Sequence, residues 1–329
     1  MDPVHLLLEL APLKGEEARG AFVAERLPGA RRDGLGNVFA GEGEVLLLAH
    51  LDTVLPPRPL RAVGERLYGP GVGDNSAGVA VLLSLPEIPG VVRGFSVGEE
   101  GLGNLRGARA LVAGLRPKVV VAVDGYIPGV VDRALGSVRF AVRFLGPGGH
   151  AWGDRGSPNP VFALAEALTA LRARFGEEKE VSLNASALKG GEAVNAIPKE
   201  ASALLEIRAL EEEKLLALFQ EARDLFQEAA RRNRVEVALE VLGRRPAGST
   251  ATEALRRAAE EALKAIGERA AFQAGSTDAS AAVERGIPAL ALGVYRGGGA
   301  HTEEEWVLPR SLLEGRKALL AFLKALGVG

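Results

Sequence analysis

The sequence predicts an α/β fold interrupted by a smaller antiparallel domain, and three observations carry that expectation. Apolar runs at 44–50 (EVLLLAH), 91–98 (VVRGFSVG) and 117–123 (PKVVVAV) are too continuous for a one-faced strand and fit strands covered on both faces. Each run delivers polar residues at its carboxyl end, where ligands bind in open α/β sheets. Between residues 137 and 243 the pattern changes to β-α-β-β-α-β, after which the α/β character returns.

In chain order, residues 3–27 read as a helix broken at LPG, followed by strands at NVFAG and EVLLLAH. DNSAGVAVLLSL (74–85) reads as a helix whose start is marked by Asp74 or Asn75. VVRGFSVGEE (91–100) and PKVVVAVDG (117–125) are strands that end in carboxylates. SVRFAVRFLG (137–146) alternates as a half-buried strand does, and 160–175 fits a helix. Strands follow at 180–188 and 201–210, then an amphipathic helix at about 211–232 and a strand at 235–243. Beyond 244 come a helix at about 251–266, strands AAFQA and PALALGV, and a final helix at 310–327. The expected organisation is a first catalytic part at 1–134, an insertion at 135–243 and a second catalytic part at 244–329.

Composition narrows the function. The 329 residues carry 40 basic and 42 acidic side chains, a net charge of -2, which gives no electrostatic case for nucleic acid or an anionic membrane. There is no cysteine, so disulfides and thiolate metal sites are excluded, and any metal must be held by His, Asp, Glu or backbone oxygen. No segment reaches the roughly 18 continuous apolar residues of a membrane span. The first residues lack a basic leader pattern, so a cytoplasmic location is expected.

The chain has four histidines, so each can be considered in turn. In His50-x-Asp52, the aspartate can support the imidazole, as carboxylates commonly do for metal-bound histidines. Asp74 follows the glycine loop YGPGVGDNSAG. Glu99 and Glu100 repel one another unless a cation offsets them; one could bind a metal while the other serves as a base. Asp124 follows VVVAV, and His301 follows GGGA. Singly, each has a plain structural reading: a satisfied histidine, a helix cap, a solvated loop. Together His50, Asp74, Glu100, Asp124 and His301 suit two metal ions if one carboxylate bridges. The Glu303–Glu305 run reads as a solvated face, and His5 as a structural helix residue. The glycine loop is a poor match to a nucleotide-binding loop, since it neither follows a strand directly nor contains G-x-G-x-x-G.

HLDTV (50–54), GDNSAG (73–78), GEEGLGN (98–104), VAVDG (121–125), GGH (148–150) and GAHTEEE (299–305), in this order, resemble the M20 family of di-zinc metallopeptidases and deacylases. That family spans peptidase T-like enzymes and acetylornithine deacetylase or succinyl-diaminopimelate desuccinylase relatives. The resemblance implies a zinc-peptidase-like catalytic domain with a mixed sheet and an inserted ferredoxin-like βαββαβ domain that forms a homodimer. It implies that His50 and Asp124 hold one zinc, Glu100 and His301 the other, and Asp74 both; cobalt or manganese also suits such ligands. Glu99 would be the general base toward a zinc-bridging hydroxide, and Asp52 would orient His50.

By the same resemblance, His150 would stabilise the oxyanion in a partner's active site. Asn195, Arg208, Ser276 and Thr277 would contact substrate, with a cross-strand salt bridge as the competing role for Arg208. The substrate would be a short peptide or an N-acyl amino acid. Many deacylases of the family carry Arg in the glycine loop and Lys soon after it, and GPGVGDNSAG has neither. GEEGLGNLRG and GPGGHAWGDRG look closer to the tripeptidase-like branch. The alternatives are a deacylase or carrier-linked amidase of amino-acid biosynthesis, an inactive ligand-binding homologue, and a Rossmann-type nucleotide binder.

Overall fold

The computed structural model describes residues 1–176 and 178–328, which form two compact units: residues 1–134 with 249 onward, and residues 135–248.

The first unit is built on a mixed sheet of eight strands. Their order is Arg31–Arg32, Val38–Ala40, Gly90–Ser96, Gly43–His50, Val119–Val123, Ala289–Leu292, Gly129–Ala134, Ala271–Gly275. The four strands from Gly90–Ser96 to Ala289–Leu292 run parallel, so their carboxyl ends share one edge. The apolar run at 45–49 has a simple cause. Val45, Leu47 and Ala49 pack into a core with the helices Pro3–Leu10, Ser76–Ser84, Glu253–Lys264 and Ser311–Ala325, while Leu46 and Leu48 pack on the opposite face against Arg106–Leu115. Both faces are covered, so every position is apolar. A second, four-stranded sheet, ordered Gly297–Gly298, Trp306–Val307, Arg66–Tyr68, Arg61–Val63, flanks the loop that carries His301. These strands are two or three residues long, too short to leave a periodic trace in sequence.

The second unit holds the antiparallel order Val181–Gly190, Glu200–Ala209, Gly136–Leu145, Glu236–Arg245. The helices Pro160–Phe175 and Glu212–Asn233 pack on one another and share a core with the sheet. Alternate residues of Gly136–Leu145 and Glu200–Ala209, such as Phe140, Val142, Ala203 and Leu205, fill that core.

The structure redraws three elements. The expected helix over 3–27 is two helices, Pro3–Leu10 and Gly15–Arg26, because Pro12 cannot continue the hydrogen-bond ladder. The strand expected at 91–100 ends at Ser96, which leaves Glu99 and Glu100 in a loop. The helix expected from 74 begins at Ser76; Asn75 caps it, accepting from the Gly78 N–H at 3.1 Å.

Candidate metal centre

The parallel edge gathers the strand ends predicted from sequence. His50 is the last residue of its strand, Asp124 follows Val123, and Glu99 and Glu100 lie three and four residues past Ser96. Asp74 arrives on the turn before the helix Ser76–Ser84. That helix start must press against the neighbouring strand end: a Cβ on Gly78 would lie 2.2 Å from the Val123 carbonyl oxygen. Asn75 fixes the same approach by donating its amide to that oxygen at 3.1 Å.

The side chains converge on Asp74. Its Oδ1 lies 3.0 Å from His50 Nε2, and its Oδ2 lies 3.0 Å from His301 Nε2. Glu100 Oε1 is also 3.0 Å from His301 Nε2, and Asp124 Oδ2 is 4.0 Å from His50 Nε2. Behind His50, Nδ1 lies 3.1 Å from the Asp52 carbonyl oxygen and 3.4 Å from Asp52 Oδ1. The Asp52 carboxylate also accepts the N–H groups of Glu99 at 3.0 Å and Glu100 at 2.8 Å. One residue therefore orients the imidazole and the carboxylate loop together. Glu99 is itself buried.

The electrostatics suit a cation. Burial raises Glu100 to about 7, and burial with the nearby Asp74 charge holds Asp124 well above the usual carboxylate range. Against its burial, Asp74 is held low by His301 and His50. His301 is raised to about 9 chiefly by Asp74, and His50, despite complete burial, is raised by Asp52 and Asp74. Protons thus supply the positive charge that this cluster of carboxylates requires. His50, Asp74 and Glu100 offer ligand atoms within 4.8 Å of one another, an N/O donor set that fits divalent transition metals.

One expectation is corrected. The Glu303–Glu305 run is not a uniform solvated face. Glu303 and Glu304 are exposed and pair with Arg58 and Arg61, each at 2.9 Å, but Glu305 is 2% exposed. Its carboxylate accepts the N–H groups of Gly71 at 2.7 Å, Gly73 at 2.8 Å and Asp74 at 2.7 Å. These bonds also count against a nucleotide-binding loop, because an internal carboxylate occupies N–H groups that a phosphate would need.

Three further residues escape sequence reasoning. Asp278 is fully buried, is raised to about 7 by burial, and accepts from Ser96 Oγ at a sheet-strand end. Arg19 is buried behind the site and donates to Ser76 Oγ at 2.6 Å. Tyr126 accepts the Ala300 N–H at 3.1 Å, which ties the Asp124 loop to the His301 loop. GSTDAS drew notice for Ser276 and Thr277; Thr277 is buried and accepts the Ala279 N–H at 3.3 Å. No periodic signal marks the other two.

His150, Asn195 and Arg208 belong to the second unit. His150 pairs with Ala196 across a two-stranded ribbon, and the Ala151 N–H donates to the Asn195 carbonyl at 2.9 Å, so His150 and Asn195 are neighbours. His150 Nδ1 accepts from the N–H groups of Trp152 at 3.2 Å and Gly153 at 3.1 Å, which leaves the neutral ring's proton on the exposed Nε2 side. Arg208 grips Glu206 with two bonds, of 2.7 and 3.1 Å, and Arg139 shares that glutamate at 2.7 Å. His5 lies on the surface beside Glu9.

Comparison with known proteins bears on this cluster. The family described as Peptidase family M20/M25/M40 matches residues 46–325. The chain is similar to a putative succinyl-diaminopimelate desuccinylase DapE of Mycobacterium tuberculosis, 26% identical over 344 residues and covering 93% of each chain. Among solved structures, a tripeptidase from Staphylococcus aureus superposes with a TM-score of 0.83 at 20% identity, covering 98% of this chain and 97% of that one. Aminopeptidase PepT from Bacillus cereus gives 0.79 at 20% identity, covering 99% and 98%. At that identity the two structures speak to the fold.

Proposed function

This chain belongs to peptidase family M20/M25/M40, a metal-dependent hydrolase of amide bonds, and we propose that it cleaves a short peptide or an N-acyl amino acid with two divalent ions, zinc foremost. The observation that carries the two-ion reading is Asp74, whose two carboxylate oxygens each face a different histidine at 3.0 Å. In this reading His50 and Asp124 hold one ion, Glu100 and His301 the other, and Asp74 both. Cobalt or manganese would satisfy the same donors.

The ions supply Lewis acidity, which polarises the scissile carbonyl and acidifies water. The chain's own residues do the rest. Asp52 keeps Nδ1 of His50 engaged and so presents Nε2 to the metal. Glu99 takes the proton from water as the water oxygen bonds to the carbonyl carbon. It returns that proton to the amide nitrogen as the C–N bond breaks, and the acid so formed passes its remaining proton to the amine, leaving a carboxylate and an ammonium. His150, with its proton on Nε2, donates to the developing oxyanion from the second unit of a partner chain in a homodimer. Asn195, Arg208, Ser276 and Thr277 contact the substrate; for Arg208 this requires exchanging Glu206 for a substrate carboxylate.

The ferredoxin-like reading of the second unit, its role in dimerisation and a cytoplasmic location belong to the same proposal. Among the described residues no helix is long and apolar enough to cross a membrane. The similarity to a desuccinylase favours the N-acyl arm, a deacylase or carrier-linked amidase, as the second reading. The test is hydrolysis of di- and tripeptides beside N-acyl amino acids by zinc-loaded protein, with Glu99→Gln as control. Cleavage of free-amine peptides, lost in the variant, supports a peptidase. Cleavage of N-acyl compounds alone selects the deacylase. Bound metal without turnover of either class would sink both substrate readings and leave a special substrate or a ligand-binding role.

A further inference from the structure

The turn that carries Asp74 is held by two buried side chains outside the candidate ligand set, Glu305 and Arg19. On one side lies Glu305, 2% exposed, with Oε2 on the Gly71 N–H at 2.7 Å and Oε1 on those of Gly73 at 2.8 Å and Asp74 at 2.7 Å. Its own carbonyl accepts the Gly69 N–H at 2.9 Å. On the other side, Arg19 donates to Ser76 Oγ at 2.6 Å, and that hydroxyl donates to the Gly71 carbonyl. The turn is packed as well as bonded. A Cβ on Gly73 would lie 2.8 Å from the Tyr295 ring and 2.9 Å from Glu305 Oε1, so the backbone can sit against the clamp only because Gly73 has no side chain.

We infer that Glu305 is a positioning residue: it fixes the Asp74 turn, and through Asp74 it sets how tightly both metal positions fill. The inference rests on the two-ion reading above. Among the described residues, Asp74 is the side chain that lies 3.0 Å from each of the two histidines, so a shift of its backbone moves both positions at once. Glu305 bonds the Asp74 N–H itself, and it stands four residues after His301 on the same loop. One short segment therefore contributes both a ligand and the clamp on the ligand opposite. A carboxylate is suited to the task because its two oxygens accept several N–H groups at once; an amide in its place would turn an N–H₂ toward a backbone donor.

The experiment compares wild type, Glu305→Gln and the surface control Glu304→Gln. Zinc stoichiometry and affinity are measured by chelator competition, with kcat and KM at several zinc concentrations. We expect Glu304→Gln to match wild type. Glu305→Gln should lose about 10- to 100-fold in affinity for one or both ions. Its kcat should fall with little change in KM and recover as zinc is raised, which a folding defect would not do.

A folded Glu305→Gln with wild-type zinc affinity overturns the inference and leaves the two-ion reading intact. Wild type that binds fewer than two ions overturns that reading instead. Hydrogen exchange on metal-free wild type decides the matter if the variant does not fold. The Gly71, Gly73 and Asp74 amides should be protected although they lie outside helix and strand, and rapid exchange there overturns the inference.

Discussion

Two acidic runs of the first unit look alike in sequence and behave differently. Glu99 and Glu100 both turn in toward the site, and Asp52 accepts the backbone N–H of each. Glu303 and Glu304 turn out to surface arginines, while Glu305 turns in to grip a distant turn. The first pair is placed by strand direction, since a parallel strand must deliver its next residues to the shared edge. The second run is placed by the two-residue strand Trp306–Val307, whose pairing with Arg66–Tyr68 draws Glu305 beside the Gly69–Asp74 loop. Identical residue types thus acquire different roles from the register of the backbone beside them.

Glu99→Gln tests the first run most severely. It should lower kcat by about 10²- to 10⁴-fold, with zinc content unchanged by metal analysis. His301→Ala tests the loop that carries the second run, and zinc should fall from two ions to one per chain with activity falling alongside. Arg19→Met removes the buried cation behind the Asp74 turn and leaves Ser76 without its donor. It should destabilise the protein by about 3 kcal/mol in denaturant titration. Loss of zinc without loss of stability would assign Arg19 to the site rather than to the fold.

pH sharpens the contrast further. In metal-free protein Glu100 and Asp278 are raised to about 7 and His301 to about 9. The folded state then binds more protons than the unfolded state from about pH 4.5 upward, so stability declines as pH rises toward 9. The check is a metal-free melting series, in which the melting temperature should fall across that range. Saturating zinc should reverse most of the decline, and adding zinc to weakly buffered protein at pH 7 should release protons. The smallest effect is expected for Glu303→Gln. Its exposed pair with Arg58 should be worth under about 1 kcal/mol, and zinc affinity should not change.

Much of the eight-stranded sheet and its polar edge was legible because burial on both faces writes continuous apolar runs. Gly43–His50 and Val119–Val123 emerge close to their expected bounds, each with its polar terminus. Glu305, Arg19 and Tyr126 were not legible, because their roles lie in bonds to residues 57 to 234 positions away. No local periodicity records such a contact. The break at Pro12 was readable in principle, but the apolar pattern on either side outweighed it. Arg208 shows a limit of another kind: a motif names the residue, and only the fold reveals that Glu206 already engages it.

The sheet order also governs how the protein is made. The strand Ala289–Leu292 is the last of its sheet to leave the ribosome, yet it lies between Val119–Val123 and Gly129–Ala134. Until it arrives, two unpaired edges face each other across a gap that no earlier segment fills. His301 and Glu305 emerge later still. In the two-ion reading, a nascent chain lacks one of its metal-holding residues until His301 has emerged. Contacts of such long sequence separation form slowly and leave edges open to mispairing. A chain that stops short of residue 289 would lack the strand that joins Val119–Val123 to Gly129–Ala134.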